Sequence, residues 1–180
     1  DGGVFIDIGA NIGYYSLMMA QNAKCRIFAI EPNPELVKRL RQNAEFNGLQ
    51  DKIEIWNGAL GDSRGLVRLN LDNKDLGSSS IVNAEPGSTF INVELRPLVD
   101  ILESASIDRI DALKIDVEGM EDKILRPFFE TAPTFLYPSM VIIEDSSKAG
   151  WDWDVVAWML SNGYSIINKS RGNLILEKQS

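Results

Sequence analysis

The feature that most constrains this chain is Asp7-Ile8-Gly9-Ala10-Asn11-Ile12-Gly13, which overlaps the end of the apolar run Val4-Phe5-Ile6-Asp7-Ile8. A short apolar run of this kind reads as a buried strand. A helix is expected to follow, over about residues 12–22. Between strand and helix, Gly9 permits a sharp turn, and Gly13 permits close approach of a helix or ligand. A glycine loop carries meaning in that context. The order then repeats. Residues 26–30 form a second buried strand, closed by Glu31-Pro32. Asn33 is placed to cap a helix whose first position is Pro34, where a missing N–H costs nothing. Leu36, Leu40 and Ala44 share one face of that helix, and Asn47-Gly48 ends it. Ile53–Trp56 is a third strand. This β-α-β-α-β pattern implies a parallel sheet with helices on its faces.

The middle of the chain departs from that alternation. Val67, Leu69 and Leu71 alternate with polar residues, as do Ile91, Val93 and Leu95. Period-two patterning predicts half-exposed antiparallel strands, a small β insertion at the rim. The polar stretch between them, with Gly77-Ser78-Ser79-Ser80 and Pro86-Gly87-Ser88, reads equally as a lid or as a plain hairpin loop. Parallel strands resume at residues 112–116, followed by a helix over 121–130 and a fifth strand at Met140–Glu144. Asp152 is placed to cap a last helix running to Ser161. Residues 164–168 and 173–177 then flank a hairpin turn.

The composition narrows the functional classes. At 180 residues the chain suits one domain with a proper core. A formal net charge of −8 speaks against nucleic acid as a partner. Lys38, Arg39 and Arg41 cluster on one helix and read as a solvated face. No apolar run approaches a membrane span, so no membrane partner is expected and the location is expected to be cytoplasmic. The single cysteine, Cys25, excludes an internal disulfide and reads as a buried structural thiol. There is no histidine, which removes the commonest general base and zinc ligand.

The chemistry-bearing residues fall at strand ends. A dinucleotide fingerprint needs a second glycine to admit the pyrophosphate, and Asn11 stands there instead. That points to a nucleoside ligand without a pyrophosphate, of which S-adenosylmethionine is one. Asp7, at its strand's end, is placed to help hold the amino-acid part. Glu31 ends the second strand, where an acid accepts hydrogen bonds from ribose hydroxyls. Lys114-Ile115-Asp116-Val117-Glu118-Gly119-Met120-Glu121 ends the fourth, at the edge where open α/β sheets bind ligands. There Asp116 and Glu118 read as cleft residues if the chain turns; the alternative is that Glu118 and Glu121 merely favour the next helix's N-terminus. Asp116, Glu118, Glu144 and Asp145 are oxygen donors of the type Mg²⁺ prefers, but no ligand spacing demands a metal and none is expected. Trp151, Trp153 and Tyr137 read as an acceptor wall or, preferably, as packing under a loop.

Taken together, the segment from Asp7 to Ser16, Ala29-Ile30-Glu31-Pro32-Asn33-Pro34, Asn43 with Asn47-Gly48, Ala59-Leu60-Gly61-Asp62 and the segment from Lys114 to Glu121 resemble the FkbM family of methyltransferases. The resemblance implies a Rossmann-like class I methyltransferase, a three-layer αβα sandwich. Its seven-stranded, mostly parallel sheet would have the order 3-2-1-4-5-7-6, with the small β insertion between strands 3 and 4. Residues 1–180 would be one methyltransferase domain, lacking an N-terminal segment. The implied activity is O-methylation of a small-molecule, sugar or natural-product hydroxyl with S-adenosylmethionine as donor and S-adenosylhomocysteine as product. By resemblance, Asp7, Gly9 and Asn11 hold the methionine part, with Gly13 completing the loop. Glu31 holds the ribose, and Asn57, Gly58 and Ala59 lie beside the adenine. Asp116 and Glu118 face the methyl group and the acceptor, as positioner and proton acceptor respectively. The alternatives are an NAD(P)-dependent oxidoreductase, which shares the fold and Glu31 but requires the glycine missing at Asn11, and a non-catalytic module that keeps the binding pocket. An RNA methyltransferase is disfavoured by the acidic balance.

Overall fold

The computed structural model describes residues 2–22, 24–71 and 89–179. Alternation within the first two strands sets the layers. In β1 (Gly3–Ile8) Phe5 points to one face, while Ile6 and Ile8 join a different core cluster. In β2 (Cys25–Ile30) Ile27 and Ala29 side with Phe5, and Phe28 and Ile30 with Ile6. Side chains of period two thus feed two separate cores. One lies under α1 (Tyr14–Asn22) and α2 (Pro34–Phe46), where Ala20, Leu40 and Ala44 are buried.

The main sheet continues with β3 (Ile53–Trp56). Then β4 (Ala59–Leu60), β5 (Gly65–Leu71) and β6 (Thr89–Arg96) form a separate three-stranded sheet, in the order β4-β6-β5. This is the expected insertion, and β5 and β6 pair antiparallel. The expectation omitted β4, which runs parallel to β6. The two polar loop segments of the insertion lie outside the described residues. Next come α3 (Leu98–Ser104), β7 (Ala112–Ile115), α4 (Glu121–Thr131), β8 (Met140–Glu144), α5 (Val155–Ser161), β9 (Tyr164–Lys169) and β10 (Asn173–Lys178). Helices α3, α4 and α5 bury Leu98, Ile101, Ile124, Phe128, Val155 and Met159 in the second core.

The main sheet has the order β3-β2-β1-β7-β8-β10-β9, with β10 antiparallel to both neighbours. Once the insertion's strands are set aside, this is 3-2-1-4-5-7-6, the expected topology. The order reverses between β1 and β7, where an open α/β sheet forms its binding crevice.

Four local expectations need correction. Helix α1 starts at Tyr14 rather than Ile12, because Asn11 (φ 53°) and Gly13 (φ 90°) hold the chain left-handed before it. Helix α3 was not expected, although Leu98, Ile101 and Leu102 have helical spacing. The cap of α5 is Asp154, whose carboxylate accepts from the Ala157 amide, whereas Asp152 pairs with Lys123. Cys25 is only half-buried. As expected, Lys38, Arg39 and Arg41 are exposed. Trp153 and Tyr137 pack with Phe129 and Trp158.

The central strands are tied by charge as well as by backbone. Asp7 and Lys114 are register partners on β1 and β7, 0% and 4% exposed. Asp7 Oδ2 accepts from the Ser16 amide (3.1 Å) and hydroxyl (2.6 Å), which pins the start of α1. Asp7 Oδ1 has no hydrogen bond and faces Lys114 Nζ at 3.6 Å. Burial pushes the Asp7 carboxyl up, and Lys114 and Ser16 oppose that shift. Lys114→Met leaves the carboxylate buried without its cation and should cost about 3–5 kcal/mol in denaturant unfolding. Its pKa then rises further, so the deficit should be largest at neutral pH and shrink as the pH falls. The double variant Asp7→Asn/Lys114→Met should recover much of the loss. Equal stability of Lys114→Met and the parent would show that the pair is not structural.

Candidate functional site

The β1–α1 loop is built from amides that are already engaged. The Gly9 and Ala10 N–H groups both donate to Ile30 O at 3.0 Å. The Asn11 amide donates to Glu31 Oε2 at 2.9 Å, and the Ile12 amide to Asn11 Oδ1 at 2.8 Å. The Gly13 amide returns to Ala10 O at 2.8 Å. Gly9 is required where it stands: φ is +72°, and a Cβ would lie 1.9 Å from Asp116 O. The first loop therefore touches the loop after β7, and no side chain fits between them. Lys114 Nζ seals the junction. It donates to Gly9 O at 2.9 Å and lies 3.6 Å from Asp116 Oδ2. The Tyr15 ring lies 5.5 Å away.

Around this junction opens a cavity of about 620 Å³, within the range of small-ligand sites. Among the described residues, its charged lining is Glu31, Lys114, Asp116 and Glu118. Glu31 is 5% exposed. Its Oε1 accepts from the Asn33 amide at 2.9 Å, and its Oε2 from Asn11. Each oxygen retains a second lone pair. Burial pushes the Glu31 carboxyl up, against the pull of those two amides. Asp116 is half-buried, while Glu118 is exposed and left-handed at φ 55°.

Seven of the ten expected site residues line this one cavity: Gly9, Asn11, Glu31, Gly58, Ala59, Asp116 and Glu118. The other three stand behind it. Asp7 is turned under the loop towards Ser16 and Lys114. Gly13 is buried where a Cβ would meet Leu40 Cγ at 2.8 Å, so its smallness serves the packing of α1 on α2. The side-chain Nδ2 of Asn57 donates to Glu31 O (2.8 Å) and Pro32 O (3.0 Å), fixing the segment that carries Glu31. Sequence reasoning did not foresee Leu60 and Leu69, which bring the small sheet into the wall, or Ile12 and Tyr14 at the mouth. Tyr14 is 70% exposed. Neither Trp151 nor Trp153 lines the cavity. Glu144, at the end of β8, is held high by burial, although its bond from Ser146 opposes this; Asp116, Glu118 and Glu121 nearby add to the rise. Among the described residues no three carboxylates converge as a metal site. No helix among them is long and apolar enough to cross a membrane.

These residues fit S-adenosylmethionine on two counts. The ligand's positive sulfonium suits a lining that, among the described residues, has three carboxylates to one ammonium. Its lack of a pyrophosphate suits a loop whose amides are engaged internally.

Comparison with known proteins agrees. Residues 7–166 match the family model for the methyltransferase FkbM domain. The 2-O-methyltransferase NoeI of Sinorhizobium fredii is 28% identical over 144 residues, 71% of this chain and 58% of NoeI. The hexuronic acid methyltransferase AglP of Haloferax volcanii is 28% identical over 123 residues, 68% of this chain and 48% of AglP. The chain thus spans about half the length of these relatives. A shorter stretch, 48% of the chain, is 31% identical to a tRNA (guanine(37)-N(1))-methyltransferase of Dictyostelium discoideum and covers 18% of it. M. capricolum TrmK, solved with S-adenosylhomocysteine, shares the fold at 17% identity with a TM-score of 0.57, covering 100% of this chain and 64% of that one. The chain is a methyltransferase domain that belongs to the FkbM family.

Proposed function

We propose that this domain O-methylates a hydroxyl of a small polyhydroxylated acceptor, a saccharide or a related natural product. The observation that carries the reading is the convergence of the glycine loop, Glu31 and the Asp116–Glu118 loop on one cavity. The activities named for NoeI and AglP support it. In this reading Glu31 accepts from the ribose hydroxyls, Gly58 and Ala59 flank the adenine, and Gly9 and Asn11 border the methionine part. Asp7 acts through Lys114 and Ser16 rather than by contact. An NAD(P) cofactor is disfavoured, because a pyrophosphate needs loop amides that are engaged here. RNA is disfavoured by a lining whose charges repel phosphate.

S-adenosylmethionine, when bound, supplies an electrophilic methyl group. The chain's own task is to align the acceptor and remove its proton. Glu118, exposed at the cavity wall, takes the hydroxyl proton as the new O–C bond forms. Asp116 orients the hydroxyl and is itself oriented by Lys114. Ile12 and Tyr14 give the acceptor an apolar edge to lie against.

Calorimetric titration with S-adenosylmethionine, S-adenosylhomocysteine and NADH should give saturable binding of the first two only; binding of NADH alone would overturn the reading. Glu31→Gln should weaken S-adenosylmethionine binding about 10- to 100-fold at pH 8. In the parent, affinity should fall as the pH is lowered, because the raised pKa makes Glu31 take up its proton at a higher pH than an ordinary carboxylate. The Gln variant should lack this limb, and an unchanged pH profile would remove Glu31 from the ribose site. With an acceptor found by screening saccharides against radiolabelled donor, Asp116→Asn and Glu118→Gln should each lower turnover about 100-fold while donor affinity stays nearly constant. Normal turnover in both would refute the base assignment.

A further inference from the structure

Glu121 follows the two carboxylates assigned to the acceptor and opens α4. An acid at a helix's first position ordinarily serves the helix dipole. This one does something else. It is 0% exposed. Its Oε1 turns back to accept the Val117 amide at 3.0 Å and the Gly119 amide at 3.4 Å. Its Oε2 accepts from Trp151 Nε1 at 3.0 Å. The loop it holds is strained, with Glu118 at φ 55° and Gly119 at φ 94°. A non-glycine residue in that region costs about 1 kcal/mol or more and persists only when its surroundings dictate it. The Gly119 side of the loop also meets the β8–α5 segment, since a Cβ there would lie 3.3 Å from Ser147 Cβ. The next residue, Asp122, holds the Asp152 and Trp153 amides through Oδ2, at 2.9 and 3.3 Å. Consecutive acids therefore clamp two segments, one bearing Glu118 and the other Trp151.

We propose that Glu121 is the positioning residue of the acceptor loop, with Trp151 fixing the orientation of its carboxylate. Trp151 is thus a support for the loop rather than an acceptor wall. This rests on the reading that Asp116 and Glu118 serve the acceptor. It follows that Glu121 needs two accepting oxygens. A glutamine has only one, and its NH₂ would oppose either the loop amides or the indole N–H.

The test uses the whole chain and needs no acceptor. Residue-resolved amide exchange is compared in the parent, Glu121→Gln, Trp151→Phe and the double variant. Glu121→Gln should speed exchange at Val117 and Gly119 by about 10- to 100-fold and leave Leu113 in β7 unchanged. Trp151→Phe in the same chain should restore most of that protection, because the indole donor that the NH₂ opposes is gone. A merely structural role predicts no such rescue. In parallel, calorimetry gives the ratio of S-adenosylhomocysteine to S-adenosylmethionine dissociation constants. Displacing the two carboxylates from the sulfonium should lower that ratio several-fold in Glu121→Gln and restore it in the double variant. Unaltered exchange at Val117 and Gly119 in Glu121→Gln, or a double variant no better protected than the single, overturns the proposal. Failure of the parent to bind either nucleoside would count against the methyltransferase reading alone, and exchange would still decide the clamp.

Discussion

Everything at this site depends on one buried cation. Lys114 sits between β1 and β7 at the point where the strand order reverses. Its ammonium faces Asp7 on one side and Asp116 on the other, and it donates to the carbonyl of Gly9. A buried charge is tolerable only when paired and hydrogen-bonded. The arrangement therefore dictates where three things lie relative to each other: the start of α1, the turn of the glycine loop, and the loop that carries Asp116. If the cation were removed, Asp7 would be a buried carboxylate held only by Ser16.

The cavity wall is assembled from parts with different origins. The main sheet contributes strand ends, as open α/β folds do. The insertion contributes Leu60 and Leu69 from its own three-stranded sheet. The small sheet is thus a wall of the cavity and not a detached hairpin. The loop after β7 that carries the carboxylates is held by Glu121 and, through it, by the β8–α5 segment. Residues behind the cavity wall thus hold the groups that line it, which is how rigid scaffolds keep functional side chains in place.

Much of this was legible in the sequence, and for physical reasons. Buried parallel strands are short continuous apolar runs, and their glycine- and acid-rich ends mark the ligand edge. The order of these segments, with the family resemblance they carry, led to the sheet topology and to seven residues that line one cavity. What failed was local. A type of residue does not state which way its side chain turns. Asp7 read as a ligand residue because it ends a strand, yet its carboxylate is taken by Ser16 and Lys114. Asp152 read as a cap, yet Asp154 caps and Asp152 pairs with Lys123. Helix α3 was overlooked although its spacing was present, because seven residues beside strands give a weak periodic signal.

The family resemblance pointed to the cofactor, and the sequence by itself determined the fold class and the strand ends that border the cavity. These follow from periodicity, from glycine at positions where only glycine fits, and from acids at fixed places along the chain. The tertiary structure alone decided which of those acids face the cavity and which are supports. Asp7 and Glu121 differ from Glu31 and Asp116 not in chemical type but in what lies within three or four ångströms of their oxygens. The neighbours that make the difference for Asp7 and Glu121, Lys114 and Trp151, are far away in sequence, brought close only when β1, β7 and the β8–α5 segment pack together.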